Sequence, residues 1–419
     1  MDLQSVFNRI EERKEELFGL LSTLVQINSE NFGTHGNEKE ISEYIYRCCQ
    51  ELGLESAMYS PLELEGFTEH PDYMPGRGLE NRYNVTACWK GREDHNALML
   101  MAHSDTVQTG DPANWELDPL SGAIKDGRLY GRGSGDDKAG IAISLFLIKV
   151  LKEMGFQPSQ NLLFNSYCDE EYGGSHGALA AVLRDPCDRV ANIDASENVI
   201  VNCATGGGEV KYHYHVADPV DSAWRTARAL PVVMDVIDLF AQRRADELEA
   251  NRFYAGTSVP KSALRYIGVQ TGHNGQDLGR GEVHFVFYTD KTKEDILPEL
   301  EEMDKLLRER LAPLGVVSDG FSLATRFFHY VFCEPDHPHI QEILQAYQKA
   351  ADKTPIVCGG GLGDQSVISK YGTSSAFSIG PGRSFEQEGG AHQPNEFVEC
   401  DKLVEFAKIM AAYVLKVLQ

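Results

Sequence analysis

Histidines and acids recur along this 419-residue chain just after short apolar runs. The run 97–103 ends in His103-Ser104-Asp105, and the segment 131–140 (GRGSGDDKAG) sets Asp136 and Asp137 in a glycine-rich turn. The run 161–168 leads into Asp169-Glu170-Glu171, and 190–194 ends in Asp194 with Glu197 three residues later. Near the C-terminus stands Gly390-Ala391-His392. Singly, each feature has an ordinary explanation: a strand-end His hydrogen-bonds, and paired acids face water. The glycine-rich turn lacks the GK[ST] ending of a phosphate loop, and its acids would repel phosphate. Together, two imidazoles and several carboxylates at one sheet edge would repel unless cations neutralised them. A mixed nitrogen and oxygen set suits Zn, Mn or Co, rather than Ca or a thiolate-rich structural zinc.

The elements that must position these residues read as an α/β protein. Strand-like runs at 84–89, 97–103, 161–168, 190–194 and 376–380 are separated by helical patterns at 38–53, 138–155 and 338–352, with a closing helix at 400–418. Apolar runs divided by helices predict a mostly parallel sheet covered on both faces, with ligands beyond the strand C-termini. The middle differs, with strands at 209–216, 264–271, 282–289 and 321–328 and helices at about 223–250 and 292–312. That order is a split βαβ. The expected layout is therefore a catalytic domain formed by 1–205 and 326–419, interrupted by an α+β domain at 206–325.

Composition narrows the partners. There are 39 Lys+Arg against 63 Asp+Glu, a formal net charge of −24, which argues against nucleic acid and anionic membranes. Nine cysteines without a CxxC pair read as reduced thiols of a cytoplasmic protein. The first 27 residues form a charged amphipathic pattern without an apolar signal core, and no stretch reaches the length of a membrane span.

The stretches His103-Ser104-Asp105-Thr106-Val107, Gly131–Gly140 and Asp169-Glu170-Glu171-Tyr172-Gly173-Gly174 resemble three signatures of the dinuclear metallohydrolases. That family includes aminoacylase, glutamate carboxypeptidase, acetylornithine deacetylase, succinyl-diaminopimelate desuccinylase and several dipeptidases. Gly363-Asp364, Gly380-Pro381-Gly382 and His392 match as well, in order, from about residue 15 to the end. The resemblance implies that His103 binds one metal, His392 the other, and Asp136 bridges them. It implies Glu171 as a terminal ligand on the His392 side and Asp194, in preference to Glu197, on the His103 side. Glu170 would be the general base, and Asp105 would orient the His103 imidazole. Asp137 reads as a cap for the following helix.

The inserted domain departs from the family. The stretch 271–280 lacks the expected Pro, and Tyr288 and Thr289 stand where an Arg is usual. His273, His213 and His215 are candidates for a histidine reaching a partner's site, and Arg280 or Arg383 for a substrate-carboxylate anchor. The expected activity is metal-dependent hydrolysis of an amide C–N bond in a small polar substrate, such as an N-acyl amino acid or dipeptide. One or two Zn, Mn or Co ions per subunit and a homodimer or higher homo-oligomer made through the insert are implied. The alternatives are an aminohydrolase acting on a non-peptide amine and a catalytically silent metal-binding protein.

Overall fold

The computed structural model describes residues 1–218, 220–272 and 278–419. The chain divides into two compact units. The first comprises Met1–Cys203, Phe332–Cys358 and Val367–Gln419, and the second comprises Ala204–Val331 and Gly359–Ser366.

The first unit is built on a nine-stranded sheet. Across it run Glu55–Tyr59, Asn84–Trp89, Gln160–Tyr167, Glu93–His103, Val190–Asn192, Ala376–Ile379 and Val199–Ala204. The four strands from Gln160–Tyr167 to Ala376–Ile379 are mutually parallel, and their neighbours on either side run antiparallel. The parallel strands are almost fully buried, as strands covered on both faces must be. The helix Lys138–Glu153 is apolar around most of its circumference, so its place is inside. It shares its core with Lys14–Gln26 and the closing helix Cys400–Leu418.

The amphipathic N-terminal pattern is two helices, Leu3–Glu12 and Lys14–Gln26. Arg13 leaves helical geometry between them (φ −113°, ψ 13°), and its guanidinium pairs with Glu16 and Glu153.

A small antiparallel sheet joins Phe397–Glu399 to Arg128–Tyr130 and then Ile124–Lys125. It sets the segment after His392 beside the strand that enters the glycine-rich turn.

The second unit is a four-stranded antiparallel sheet with two helices, Ser222–Ala250 and Lys293–Leu311. Its strand order is Leu264–Thr271, Arg280–Thr289, Gly206–Val216, Val316–Leu323. The last strand lies earlier than the expected 321–328, because Gly315 (φ 66°) turns the chain directly after the second helix. The segment beyond it still pairs with the strand Gly206–Val216, through Ala324 N–H to Glu209 O and Phe328 N–H to Gly207 O. The unit therefore extends past 325.

Candidate metal centre

Parallel strands deliver their C-terminal ends to one edge. His103 is in register with Tyr167, and Met101 with Asn192, so His103, the turn after Tyr167 and the loop after Asn192 emerge together. The Ala376–Ile379 strand, in register beside Val190–Asn192, ends there too and leads into the loop that carries His392.

At this edge the Asp136 carboxylate lies between two imidazoles. Its Oδ1 is 2.8 Å from Nε2 of His103, and its Oδ2 is 3.3 Å from Nε2 of His392. Nε2 of His392 is also 3.0 Å from Oε2 of Glu171, whose Oε1 accepts the N–H of Val107 at 3.0 Å. One ligand atom from each of His103, Asp136 and Glu171 lies within 4.8 Å of the others, a spread that a metal ion fits. Asp194 adds its charge to both imidazoles and to Asp136. Glu197 instead pairs with Lys402 at 3.1 Å.

The electrostatics are those of crowded acids. Burial opposes charge on His103 and His392, yet the hydrogen bonds they donate to neighbouring carboxylates outweigh it. Both imidazoles are held above their ordinary value, His392 at about 10. Burial lifts Glu171 to about 7 and Asp194 to about 6, with the Asp136 charge adding repulsion. Asp136 stays well below the usual carboxylate range despite its burial, because both imidazoles donate to it. The imidazole protons occupy the role a cation would take, and the donor set of neutral nitrogens and carboxylates fits a divalent ion.

The surrounding shell differs from expectation in two ways. Nδ1 of His103 meets the main-chain carbonyl of Asp105 at 2.9 Å, whereas the Asp105 carboxylate stands 3.7 Å away. That carboxylate accepts instead from the N–H groups of Glu170 and Glu171 and from Asn31 Nδ2. Asp137 stands at the N-cap of the helix 138–153, but its side chain makes no capping bond. It accepts the N–H of His103 at 3.3 Å.

A buried polar frame beneath the acids has no motif signal of its own. Asp169 is gripped by Arg77 and Arg82 and by Nδ1 of His176 at 2.6 Å. Arg77 also donates to the carbonyls of Glu171 and Tyr172, and Glu38 pairs with Arg82. Asp169 was visible only as the acid before Glu170-Glu171. Arg77 stands 92 positions from Asp169, and His176, seven positions away, opens the next helix, so neither belongs to the acidic motif.

Of the proposed substrate residues, Arg383 belongs to the first unit and Arg280 to the second. Arg383 donates to Glu388 O and Glu399 and lies over the Phe397 ring at 4.6 Å. Arg280 is an exposed residue opening a strand of the second unit, and His273 lies outside the described residues. His213 pairs with Ser322 and Glu282, and His215 with Asp319, on that unit's sheet.

Comparison with known proteins now bears on the site. Residues 99–416 match the model of peptidase family M20/M25/M40. N-formyl-4-amino-5-aminomethyl-2-methylpyrimidine deformylase of Bacillus subtilis is 25% identical over 99% of this chain and 98% of its own length. An uncharacterised metallohydrolase of Methanocaldococcus jannaschii is 37% identical, with the match spanning 39% of this chain and only 38% of that protein. Among solved structures, the dipeptidase Dug1p of Saccharomyces cerevisiae superposes with a TM-score of 0.73 over 99% of this chain and 98% of its own, at 15% identity. The sequence signatures, the acid and imidazole cluster and the matched span agree, and the chain belongs to peptidase family M20/M25/M40, metal-dependent hydrolases of amide and peptide C–N bonds in small substrates.

Proposed function

We propose that the enzyme works with two divalent ions, Zn, Mn or Co, and hydrolyses the amide bond of a small N-acyl substrate. His103 and Asp194 would hold one ion and His392 and Glu171 the other, with the Asp136 carboxylate available to both. The observation that carries this reading is the Asp136 carboxylate, which offers one oxygen to each imidazole. Bound ions would lower the pKa of a water and polarise the scissile carbonyl. Glu170 takes the proton from the attacking water and returns it to the leaving nitrogen. Its N–H bond to Asp105 holds it at the rim of the cluster, and its charge is felt at His103.

N-acyl amino acids and dipeptides are the first substrate class. A second class is favoured by the end-to-end match with the Bacillus subtilis deformylase: a formamide of an aminomethyl-substituted aromatic ring. Arg280, Arg383 and His273 remain the proposed substrate contacts, and the second unit the proposed lid and dimer contact. Its edge strand Leu264–Thr271 exposes Ile267 and Val269, which supports strand pairing between copies. A cytoplasmic setting is supported by nine sparse cysteines with no CxxC pair. No helix among the described residues is long and apolar enough to cross a membrane.

The test is a chelator-stripped enzyme reloaded with Zn, Mn or Co. It is assayed on dipeptides, N-acyl amino acids, an N-formyl aminomethylpyrimidine and aromatic amines. Paired release of acid and amine is expected. Release of ammonia alone from the free amines would overturn the amide reading.

A further inference from the structure

The glycine-rich turn 131–136 resembles an anion cradle, and the structure shows what fills it. Tyr130 and Phe397 are paired across the small sheet, so Gly131 and Glu396 are neighbours where the two strands meet the site. Gly131 donates its N–H to the carbonyl of Glu396 at 2.9 Å. The Glu396 side chain, 1% exposed, then turns into the cradle. Its Oε1 accepts the N–H groups of Gly135 at 2.9 Å and Asp136 at 3.3 Å. Its Oε2 accepts the N–H of Gly133 at 3.1 Å and Nη1 of Arg132 at 2.6 Å. Gly133 (φ 81°) is needed for this path, since a Cβ there would meet Thr106 Cγ2 at 2.6 Å. Arg132 closes the loop by donating Nη2 to the carbonyl of His392 at 3.2 Å and lying 5.2 Å from the Trp115 ring.

We infer that Glu396, through Arg132, is the positioning residue that fixes the Asp136 carboxylate relative to His392 and so sets the spacing of the two metal positions. Glu396 is not one of the proposed metal ligands or substrate contacts. It is carried four residues beyond His392 and clamps the main chain of Asp136, so the two ligands move as one body. Successive backbone N–H groups around a carboxylate form a strong, rigid anion nest. The inference rests on the dinuclear reading only for its metal readout.

The experiment compares wild type, Glu396→Gln and Arg132→Met. In the isosteric Gln variant, an amide NH₂ must face either the Gly133 N–H and the guanidinium or the N–H groups of Gly135 and Asp136. Hydrogen exchange of segment 131–138 in the chelated proteins reads the positioning without metal, and exchange at least tenfold faster is expected in Glu396→Gln. Co titration against a competing chelator is expected to show the second ion bound at least tenfold more weakly. The visible Co spectrum should change, and kcat should fall more than KM rises. Arg132→Met should give a smaller loss, confined to the second ion. Wild-type exchange and wild-type affinity for both ions in Glu396→Gln would overturn the inference. If Glu396→Gln does not fold, Arg132→Met decides by the same two readouts. Wild type binding a single ion would sink the dinuclear reading, and the exchange result would still decide the role of Glu396.

Discussion

The main-chain N–H of Glu170 donates to Oδ1 of Asp105 at 3.1 Å. Oδ2 of the same carboxylate takes the next N–H, that of Glu171, at 3.0 Å, and the carbonyl of Asp105 receives Nδ1 of His103. One residue thus ties the proposed general base and two proposed ligands to a single point, and it uses main-chain and side-chain oxygens for different partners.

Replacing Asp105 with Asn puts an NH₂ against one of these N–H donors. We expect kcat to fall about 10- to 100-fold, as for the loss of other groups that orient metal ligands. Folding should lose roughly 1–3 kcal/mol, the cost of a buried unsatisfied donor. Steady-state kinetics and denaturant melts check both. An unchanged kcat would show that the turn is held without Asp105.

Glu170→Gln should keep the metal content of wild type and lose turnover by about 10²- to 10⁴-fold, the usual contribution of a positioned proton carrier. Elemental analysis beside single-turnover assays separates the two. Near-normal turnover would refute the role of Glu170.

Metal uptake should release protons. In the metal-free chain His392 titrates at about 10, held up against burial by Asp136 and Glu171. Its folded value lies above the unfolded one, so the stability its proton lends is complete below about pH 6.5 and lost as pH rises through 10. A divalent ion near pH 8 must displace that proton, and affinity must weaken as pH falls. Calorimetric titrations in buffers of different ionisation enthalpy should show about one proton released on the His392 side. A buffer-independent heat would contradict this.

His339 supplies an acid-sensitive point away from the site. Burial pushes its imidazole down to about 3, and the ring is held between Val190 O at 3.2 Å and the Tyr413 hydroxyl at 2.8 Å. The folded value lies below the unfolded one, so this contribution is present above about pH 6.5 and lost as pH falls toward 3. Chelated wild type should lose roughly 1.4 kcal/mol per pH unit below 6.5 from this group. Glu or Asp titration elsewhere adds its own slope, so the measured quantity is the difference from His339→Gln, which should have the shallower acid limb. Parallel melts of the two chains would remove His339 as the cause.

The elements were largely legible because their patterns are local. The strand 84–89 and the closing helix 400–418 have the bounds their sequence implied, since the strand is almost wholly buried and most of the helix is too. The break at Arg13 and the early start of the strand Val316–Leu323 were not legible. A cap geometry and a left-handed glycine, rather than periodicity, decide them.

Residue types, order and placement at strand ends marked His103, Asp136, Glu170, Glu171, Asp194 and His392 as candidates, and the structure brings His103, Asp136, Glu171 and His392 together. Which oxygen faces which nitrogen was decided only by tertiary structure. Asp105 reaches His103 through its carbonyl, Asp137 turns from its cap to a neighbouring strand, and Glu197 is taken by Lys402. Glu396 is the clearest case. Nothing in the sequence 260 positions before it points to the turn it fills, and only the pairing of Tyr130 with Phe397 brings a lone carboxylate onto three backbone N–H groups. A motif records which groups the chemistry requires, and long-range strand pairing determines the distances at which they meet.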